Sequence, residues 1–210
     1  MCMECLGAVQ FISEPFCDAC GFPFEYDVGK NALCGACLEE RPPFAHARAA
    51  FRYDDASRHL VIRLKYNDQI QLAKIYAAWM AASGQELLKV SYYIIPVPLH
   101  YFRFISRRFN QSALLAQALS KKSGVKFLPS AIKRTLHTKQ QTGLSKNQRE
   151  QNVRGAFLVV PKYKEIIKGK NILLIDDVYT TGSTIKHCTK ALLRAGAAQV
   201  NVLTLARAGR

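Results

Sequence analysis

The run ILLIDDVYTTGST, residues 172–184, constrains the fold of this 210-residue chain more than any other stretch. Its first four residues are all apolar, which is typical of a central parallel strand that is covered on both faces. Two aspartates follow, and then a turn rich in hydroxyl side chains. A helix is predicted next, because Ile185, Cys188 and Leu192 share one helical face and Gly196 provides a stop signal. The run therefore predicts a strand, an acidic strand end and a helix N-terminus in succession.

This order of parts suits a phosphorylated sugar. Asp176 and Asp177 are predicted at the carboxyl end of the strand, which is the edge where open α/β sheets bind ligands. The turn offers hydroxyls, a flexible backbone position and the free amides of a new helix to an anion. Its five residues are Thr180, Thr181, Gly182, Ser183 and Thr184. An ordinary turn with a threonine cap is the plain alternative, but two carboxylates directly before such a turn are uncommon.

Six of the seven cysteines lie within the first 37 residues, in three Cys-x-x-Cys pairs. Two sulfurs at this spacing converge on one tetrahedral metal, and two pairs close a structural zinc site. The residues with zinc-ribbon spacing are Cys17, Cys20, Cys34 and Cys37. Pairing of Cys2 and Cys5 with Cys17 and Cys20 is the alternative, and it stays open at the level of sequence. Without a secretory signal, disulfides explain the pairs less well than Zn²⁺ does.

The composition is that of a globular protein with a strong excess of positive charge. Thirty lysines and arginines against fifteen aspartates and glutamates give a formal net charge of +15, and the excess is spread along the chain. Spread positive charge suits anionic small molecules or nucleic acid, and an equally plain interpretation is a solvated basic surface. No run of eighteen apolar residues and no secretory signal is found, so we expect a cytoplasmic protein without membrane insertion.

Predicted strands and helices alternate along the remaining sequence. Strands are predicted at 47–53, 92–97, 156–160 and 200–205, and helices at 56–66, 70–82 and 111–123. Such alternation without internal repeats favours an α/β fold with a parallel sheet. Two prolines at 42 and 43 end the cysteine-rich module, so the predicted domains are residues 1–43 and 44–210.

Two polar, basic segments are further candidates for ligand contact. The segment 96–112 carries Arg103, Arg107 and Arg108, whose guanidinium groups match paired phosphate oxygens. Surface arginines before a helix are the alternative. The segment 134–155 is long for a connection inside a compact domain, which favours a lid or binding loop. Its residues expected to face a ligand are Gln141, Arg149 and Asn152, while a solvated connector is the alternative.

Taken together, these features resemble a known family. The run 172–184 resembles the phosphoribosyl pyrophosphate (PRPP) motif of type I phosphoribosyltransferases. With the cysteine module, the PVP…FNQ segment at 96–111 and the NV.GAF run at 152–157, the chain resembles the ComF family of competence-associated phosphoribosyltransferase-like proteins over nearly its whole length. Three departures are Arg108 in place of the family's usual glycine, a missing first cysteine pair of the double ribbon, and Tyr179, which is expected to change little.

The resemblance implies a type I phosphoribosyltransferase fold with PRPP or a related ribose phosphate as ligand. It also implies that Asp176 and Asp177 face the ribose hydroxyls, that the turn wraps the 5′-phosphate, and that Mg²⁺ accompanies the pyrophosphate. Family members serve DNA uptake in natural transformation, which implies single-stranded DNA and a competence helicase as partners. Three functions stay open: a transferase with an unknown acceptor, a non-catalytic PRPP sensor, and a nucleotide salvage enzyme.

Overall fold

A five-stranded parallel sheet lies at the centre of the computed structural model, which describes residues 6–64, 69–99, 110–135 and 156–209. The strand order is β1-β7-β6-β2-β3, and β4 and β5 form a separate antiparallel pair. The strands are β1 Ala47–Tyr53, β2 Tyr93–Pro96, β3 Lys126–Phe127, β4 Ile132–Arg134, β5 Phe157–Val159, β6 Asn171–Tyr179 and β7 Gln199–Ala208. The parallel sheet confirms the predicted fold class.

Seven helices lie wholly within the described part of the chain. They are α1 Gly35–Glu39, α2 Asp55–Arg63, α3 Gln69–Ser83, α4 Gln85–Val90, α5 Gln111–Ser123, α6 Pro161–Ile167 and α7 Ser183–Arg194. The bounds of α5 agree with the prediction, because the Asn110 side chain caps its first turn and Gly124 ends it in the left-handed conformation. None of the helices within these ranges is both long and apolar enough to cross a membrane.

The central strand β6 is buried on both faces, as its apolar sequence predicts. Ile172 and Leu174 belong to the core that includes Cys188 of α7, whereas Leu173 and Ile175 belong to the core that includes Leu115 of α5. All of these side chains are fully buried, so Cys188 has the packing role expected from its helical face. The helices α5 and α7 therefore cover opposite faces of the sheet.

The connections define where a ligand can bind. From β2 the chain passes through α5 to β3, which extends the sheet in one direction, while from β6 it passes through α7 to β7 in the other. The strands β2 and β6 are neighbours, so a topological switch point lies between their carboxyl ends. Open α/β sheets bind ligands in the crevice at this point.

Two strands differ from the sequence prediction. The strand β6 does not end before the aspartates, because Asp176 pairs with Thr204 and Tyr179 with Arg207 on the long strand β7. The predicted strand at 156–160 does form, but β5 pairs antiparallel with β4 and does not join the main sheet. Local periodicity indicates that a strand exists, whereas its partner depends on contacts that are distant in sequence.

The cysteine-rich region packs directly against the sheet. Phe11 forms an antiparallel bridge with Phe51, and the Ile12 and Arg52 amides donate across the same edge to the carbonyl oxygens of Ala50 and Gln10. This segment therefore covers the outer edge of β1, which would otherwise present unpaired backbone groups. The Ala47 amide donates to the Ala19 carbonyl at 2.8 Å, which anchors the metal-ligand turn at the start of the same strand.

Candidate functional site

The two aspartates lie at the switch point, held by a strand and by a helix N-terminus. A carboxylate oxygen of Asp176 accepts hydrogen bonds from the Ser112 hydroxyl at 2.9 Å and from the Asp177 amide at 3.0 Å. Asp177 accepts from the Val178 amide at 2.7 Å. Ser112 is buried in the first turn of α5, so this helix fixes the orientation of the Asp176 side chain.

The environment of Asp176 opposes ionisation. Burial, followed by the charge of neighbouring Asp177, raises the pKa of Asp176 from 3.8 to about 8, although the hydrogen bond from Ser112 acts in the opposite direction. At neutral pH the ligand-free carboxyl therefore holds its proton. A ligand that brings hydroxyl donors or a cation to this edge would stabilise the ionised form.

The turn after the aspartates has the geometry of an anion site. Gly182 adopts the left-handed conformation with φ of 73° and is the N-cap of the twelve-residue helix α7. Glycine has no side chain to cap the first turn, and the Ser183 amide makes only a long hydrogen bond of 3.4 Å to the Thr181 hydroxyl, so the partial positive charge of this helix end can attract an anion. Thr180, Thr181 and Ser183 are exposed at this end of the helix.

A second helix N-terminus lies at the same edge. The Asn110 side chain accepts from the Ala113 amide at 3.2 Å and donates to the Val97 carbonyl at 3.1 Å, which ties the start of α5 to the end of β2. Gln111 is 1% exposed, and its side-chain nitrogen has no hydrogen-bond partner among the described residues. Ser112 was not among the predicted site residues, although it lies in the first turn of the helix predicted at 111–123.

Tyr179, which was expected to change little, contacts the turn of the motif. Its ring is buried, and a Cβ added to Gly182 would lie only 2.5 Å from the Tyr179 hydroxyl oxygen. The ring also meets Phe44 edge-on with centroids 6.2 Å apart. Tyr179 thus forms the support beneath the turn rather than a neutral spacer within the motif.

Several predicted residues lie outside the described residues. These are Arg103, Arg107 and Arg108 of the first basic segment, Gln141, Arg149 and Asn152 of the second, and Cys2 and Cys5. Their roles therefore stay predictions.

The other four cysteines converge. The sulfurs of Cys17, Cys20, Cys34 and Cys37 lie within 4.8 Å of one another, and all four residues are buried. Cys20 and Cys34 have their sulfurs 3.6 Å apart, close to the edge of about 3.8 Å that a tetrahedron with Zn–S bonds of about 2.3 Å requires. The arrangement favours the ribbon pairing over the alternative with Cys2 and Cys5.

The donor set fits zinc chemically as well as geometrically. The hydrogen bond with Cys20 lowers the pKa of Cys17 to about 4, whereas burial raises the pKa of Cys37 to about 11. Crowded sulfurs of this kind ionise together only when a cation neutralises them, and four thiolates are a common structural zinc set.

Comparison with known proteins agrees with this architecture. The phosphoribosyl transferase domain family matches residues 83–210, and the double zinc ribbon domain family matches residues 1–38. The fold and the cysteine cluster thus define a phosphoribosyltransferase-type domain that carries a zinc ribbon, and both support a structural zinc.

Similarity extends over almost the whole chain. Competence protein F of Haemophilus influenzae is 33% identical over 213 residues, which cover 99% of this chain and 90% of that protein. DNA utilization protein YhgH of Escherichia coli O6:H1 is 32% identical with the same coverage. Competence protein ComFC of Streptococcus pneumoniae is 31% identical, over 99% of this chain and 87% of that protein. The chain belongs to the ComF family of competence-related phosphoribosyltransferase-like proteins.

The cysteine cluster predicts a change in metal content. Cys17→Ser should lose the zinc held by the cluster, because a hydroxyl is a poor substitute for a thiolate ligand. Cys188→Ala, which removes a buried thiol outside the cluster, should retain it. Metal per chain, measured by elemental analysis of purified protein, checks both. Unchanged zinc in Cys17→Ser would reassign the metal to Cys2 and Cys5 or remove the ribbon site.

The raised pKa of Asp176 predicts how stability depends on pH. The unfolded side chain ionises near pH 4, whereas the folded one keeps its proton until about pH 8, so the folded state loses stability across this window as pH rises. Asp176→Asn removes this loss. The unfolding free energy of Asp176→Asn minus that of wild type should therefore increase from pH 5 to pH 8.

Urea unfolding at several pH values measures this difference, with Asp55→Asn on the exposed start of α2 as the control. A difference that is constant with pH, or that moves in favour of wild type, would contradict the assigned environment of Asp176.

Proposed function

We propose that the chain binds PRPP, or a related ribose phosphate, in the crevice at the switch point and that it serves DNA uptake in natural transformation. One observation supports the ligand above all. Two carboxylates and the uncapped N-terminus of a long helix lie next to each other at the ligand-binding edge of the sheet. This juxtaposition offers acceptors to sugar hydroxyls and donors to a phosphate in a single site.

In this proposal each part of the site has a separate task. Asp176 and Asp177 accept hydrogen bonds from the ribose 2′- and 3′-hydroxyls, and Ser112 keeps Asp176 in place. The turn from Thr180 to Thr184 surrounds the 5′-phosphate. The carboxylate oxygens at this edge suit Mg²⁺, a hard cation that prefers oxygen ligands and would neutralise the pyrophosphate of PRPP. Arg103, Arg107 and Arg108 contact the pyrophosphate, and the segment with Gln141, Arg149 and Asn152 closes over the ligand.

Ionisation of Asp176 is coupled to binding under this proposal. Asp176 holds a proton when the site has no ligand, and hydroxyl donors favour its charged form. Ligand binding would then release a proton near neutral pH. An unfavourable ligand-free environment of this kind is common at functional sites, where desolvation is offset when the ligand binds.

The DNA part of the proposal rests on the relatives and on charge. Two of the similar proteins are named for competence and one for DNA utilization. A net charge of +15 supplies the phosphate neutralisation on which sequence-independent binding of single strands depends. We therefore propose that single-stranded DNA is handled by this chain in concert with a competence helicase. In this proposal the zinc module comprises residues 1–43 and the phosphoribosyltransferase-like domain comprises residues 44–210.

The site assignment predicts the effect of two substitutions. Asp176→Asn and Asp177→Asn should each weaken PRPP binding in the presence of Mg²⁺ by at least about tenfold, because an amide replaces a charge-assisted acceptor with a weaker neutral one. Asp55→Asn should bind as the wild type does. Isothermal titration calorimetry measures the three affinities, and wild-type affinity in both site variants would reject the assignment.

The same samples distinguish transfer from sensing. Pyrophosphate release from PRPP across a panel of nucleobases and amines identifies a transferase and its acceptor class. Binding without release across the whole panel identifies a sensor. A salvage enzyme would release pyrophosphate with one free nucleobase only.

The proposed binding of single-stranded DNA should depend on salt concentration. The logarithm of the binding constant for a fluorescein-labelled single strand of mixed sequence should fall linearly with the logarithm of salt concentration, with a slope of roughly −0.7 per neutralised phosphate. A duplex of equal length serves as the control and should bind more weakly. Anisotropy that stays flat at low salt, or equal affinity for both forms, would argue against single-stranded DNA as the cargo.

A further inference from the structure

A buried arginine joins the cysteine cluster to the central sheet. Arg207 lies on β7, is 3% exposed, and donates a hydrogen bond from its guanidinium to the Cys20 sulfur at 3.2 Å. Among the described residues no carboxylate forms an ion pair with Arg207. A buried cation requires a compensating anion, and four thiolates around a divalent metal carry two net negative charges. The cluster is therefore the counter-ion of Arg207.

The same guanidinium contacts the strand that carries the aspartates. It lies 4.2 Å from the ring centroid of Tyr179 and 5.6 Å from that of Phe22, a residue of the ribbon. Tyr179 and Arg207 are also paired in the β6–β7 ladder, so backbone register and cation–π contact fix the same two residues. Movement of the guanidinium would therefore directly affect the position of the Tyr179 ring.

Tyr179 in turn supports the phosphate turn. Gly182 has no room for a Cβ, since that atom would meet the hydroxyl oxygen and the ring of Tyr179 at 2.5 and 2.7 Å. Gly182 directs the first amides of α7, so the position of the tyrosine ring determines where these donors point. The described contacts form one continuous series from Cys20 through Arg207 and Tyr179 to Gly182.

We infer that Arg207 and Tyr179 are positioning residues, which couple the metal state of the cysteine cluster to ribose-phosphate binding by the turn. The inference rests on the proposed function of that turn. With the thiolate cluster intact, the guanidinium is held against Tyr179 and the turn keeps its anion-binding shape. Loss of the metal frees the Cys20 sulfur to move, which removes the acceptor that holds the guanidinium of Arg207 and loosens the turn. Such coupling is reciprocal, so a bound phosphate also affects the metal site.

The chain offers a matched control in Arg48. This arginine is also buried, stacks on Phe16 of the ribbon at 4.4 Å, and donates to the Asp18 carbonyl at 2.9 Å. No described contact joins its side chain to Tyr179 or Gly182. Replacement of Arg48 therefore disturbs the packing between ribbon and sheet without touching the series that leads to the turn.

The test uses ribose 5-phosphate as probe and zinc-loaded, full-length protein whose metal content is measured for each variant. Arg207→Met should weaken binding about tenfold in calorimetry, whereas Arg48→Met should stay within about twofold of wild type. Tyr179→Phe, which keeps the ring, should bind more tightly than Tyr179→Ala. In cobalt-substituted protein, ribose 5-phosphate should change the thiolate–cobalt absorption of wild type but not of Arg207→Met.

Each outcome decides between the alternatives. Equal losses in Arg207→Met and Arg48→Met, or a cobalt spectrum that ignores the ligand, would overturn the coupling and leave the proposed function intact. Failure of wild type to bind both ribose 5-phosphate and PRPP would instead overturn the proposed function. The coupling is then decided by hydrogen exchange of the amides at 180–184: faster exchange in Arg207→Met alone supports it, and equal exchange in both arginine variants rejects it.

Discussion

The parallel ladder between β6 and β7 continues past the aspartates. The positions of both acids, of Tyr179 and of the turn before α7 depend on this pairing. Because Asp176 pairs with Thr204 and Tyr179 with Arg207, both acids are held by the sheet rather than by a free loop. The same pairing brings Tyr179 against a buried guanidinium and leaves only three residues before α7 begins at Ser183. In this short connection Gly182 adopts the left-handed conformation and is the N-cap of α7.

Two energetically unfavourable features lie at the ligand-binding edge of the sheet. The carboxyl of Asp176 is desolvated beside a second acid, and Gln111 buries an amide nitrogen without a described partner. Neither arrangement would be retained for stability alone, since unpaired buried polar groups destabilise a fold. Both lie at the point where topology places a ligand, which is the expected position for groups that a ligand satisfies. At the zinc ribbon, by contrast, the buried guanidinium of Arg207 has a hydrogen-bond acceptor in the Cys20 sulfur.

Local sequence was sufficient to predict the elements that local interactions determine. The helix α5 could be predicted from Asn110 to Gly124 because an N-cap side chain and a left-handed glycine mark its ends. The Cys-x-x-Cys spacing likewise predicted that sulfurs converge in pairs, since two residues of backbone fix each pair, whereas the choice between the two possible pairings required the fold. The order strand, acids, turn and helix was also recognisable, although β6 proved longer than its apolar run.

Contacts between distant residues could not be predicted in this way. The hydrogen bond from Ser112 to Asp176 joins residues 64 positions apart, and the one from Arg207 to Cys20 joins residues 187 apart. No periodicity connects such pairs, and their partners follow only from strand order and helix placement. The same reason explains why β5 was expected in the main sheet, and why Tyr179 was taken for a neutral position in its motif.

A crystal structure with PRPP and Mg²⁺ tests most directly whether the switch-point crevice is a ribose-phosphate site. We expect the 5′-phosphate within hydrogen-bond distance of the backbone amides at 181–184, and the ribose hydroxyls within hydrogen-bond distance of Asp176 and Asp177. A 5′-phosphate bound elsewhere, with the two carboxylates still engaged only with Ser112 and their own backbone, would contradict it.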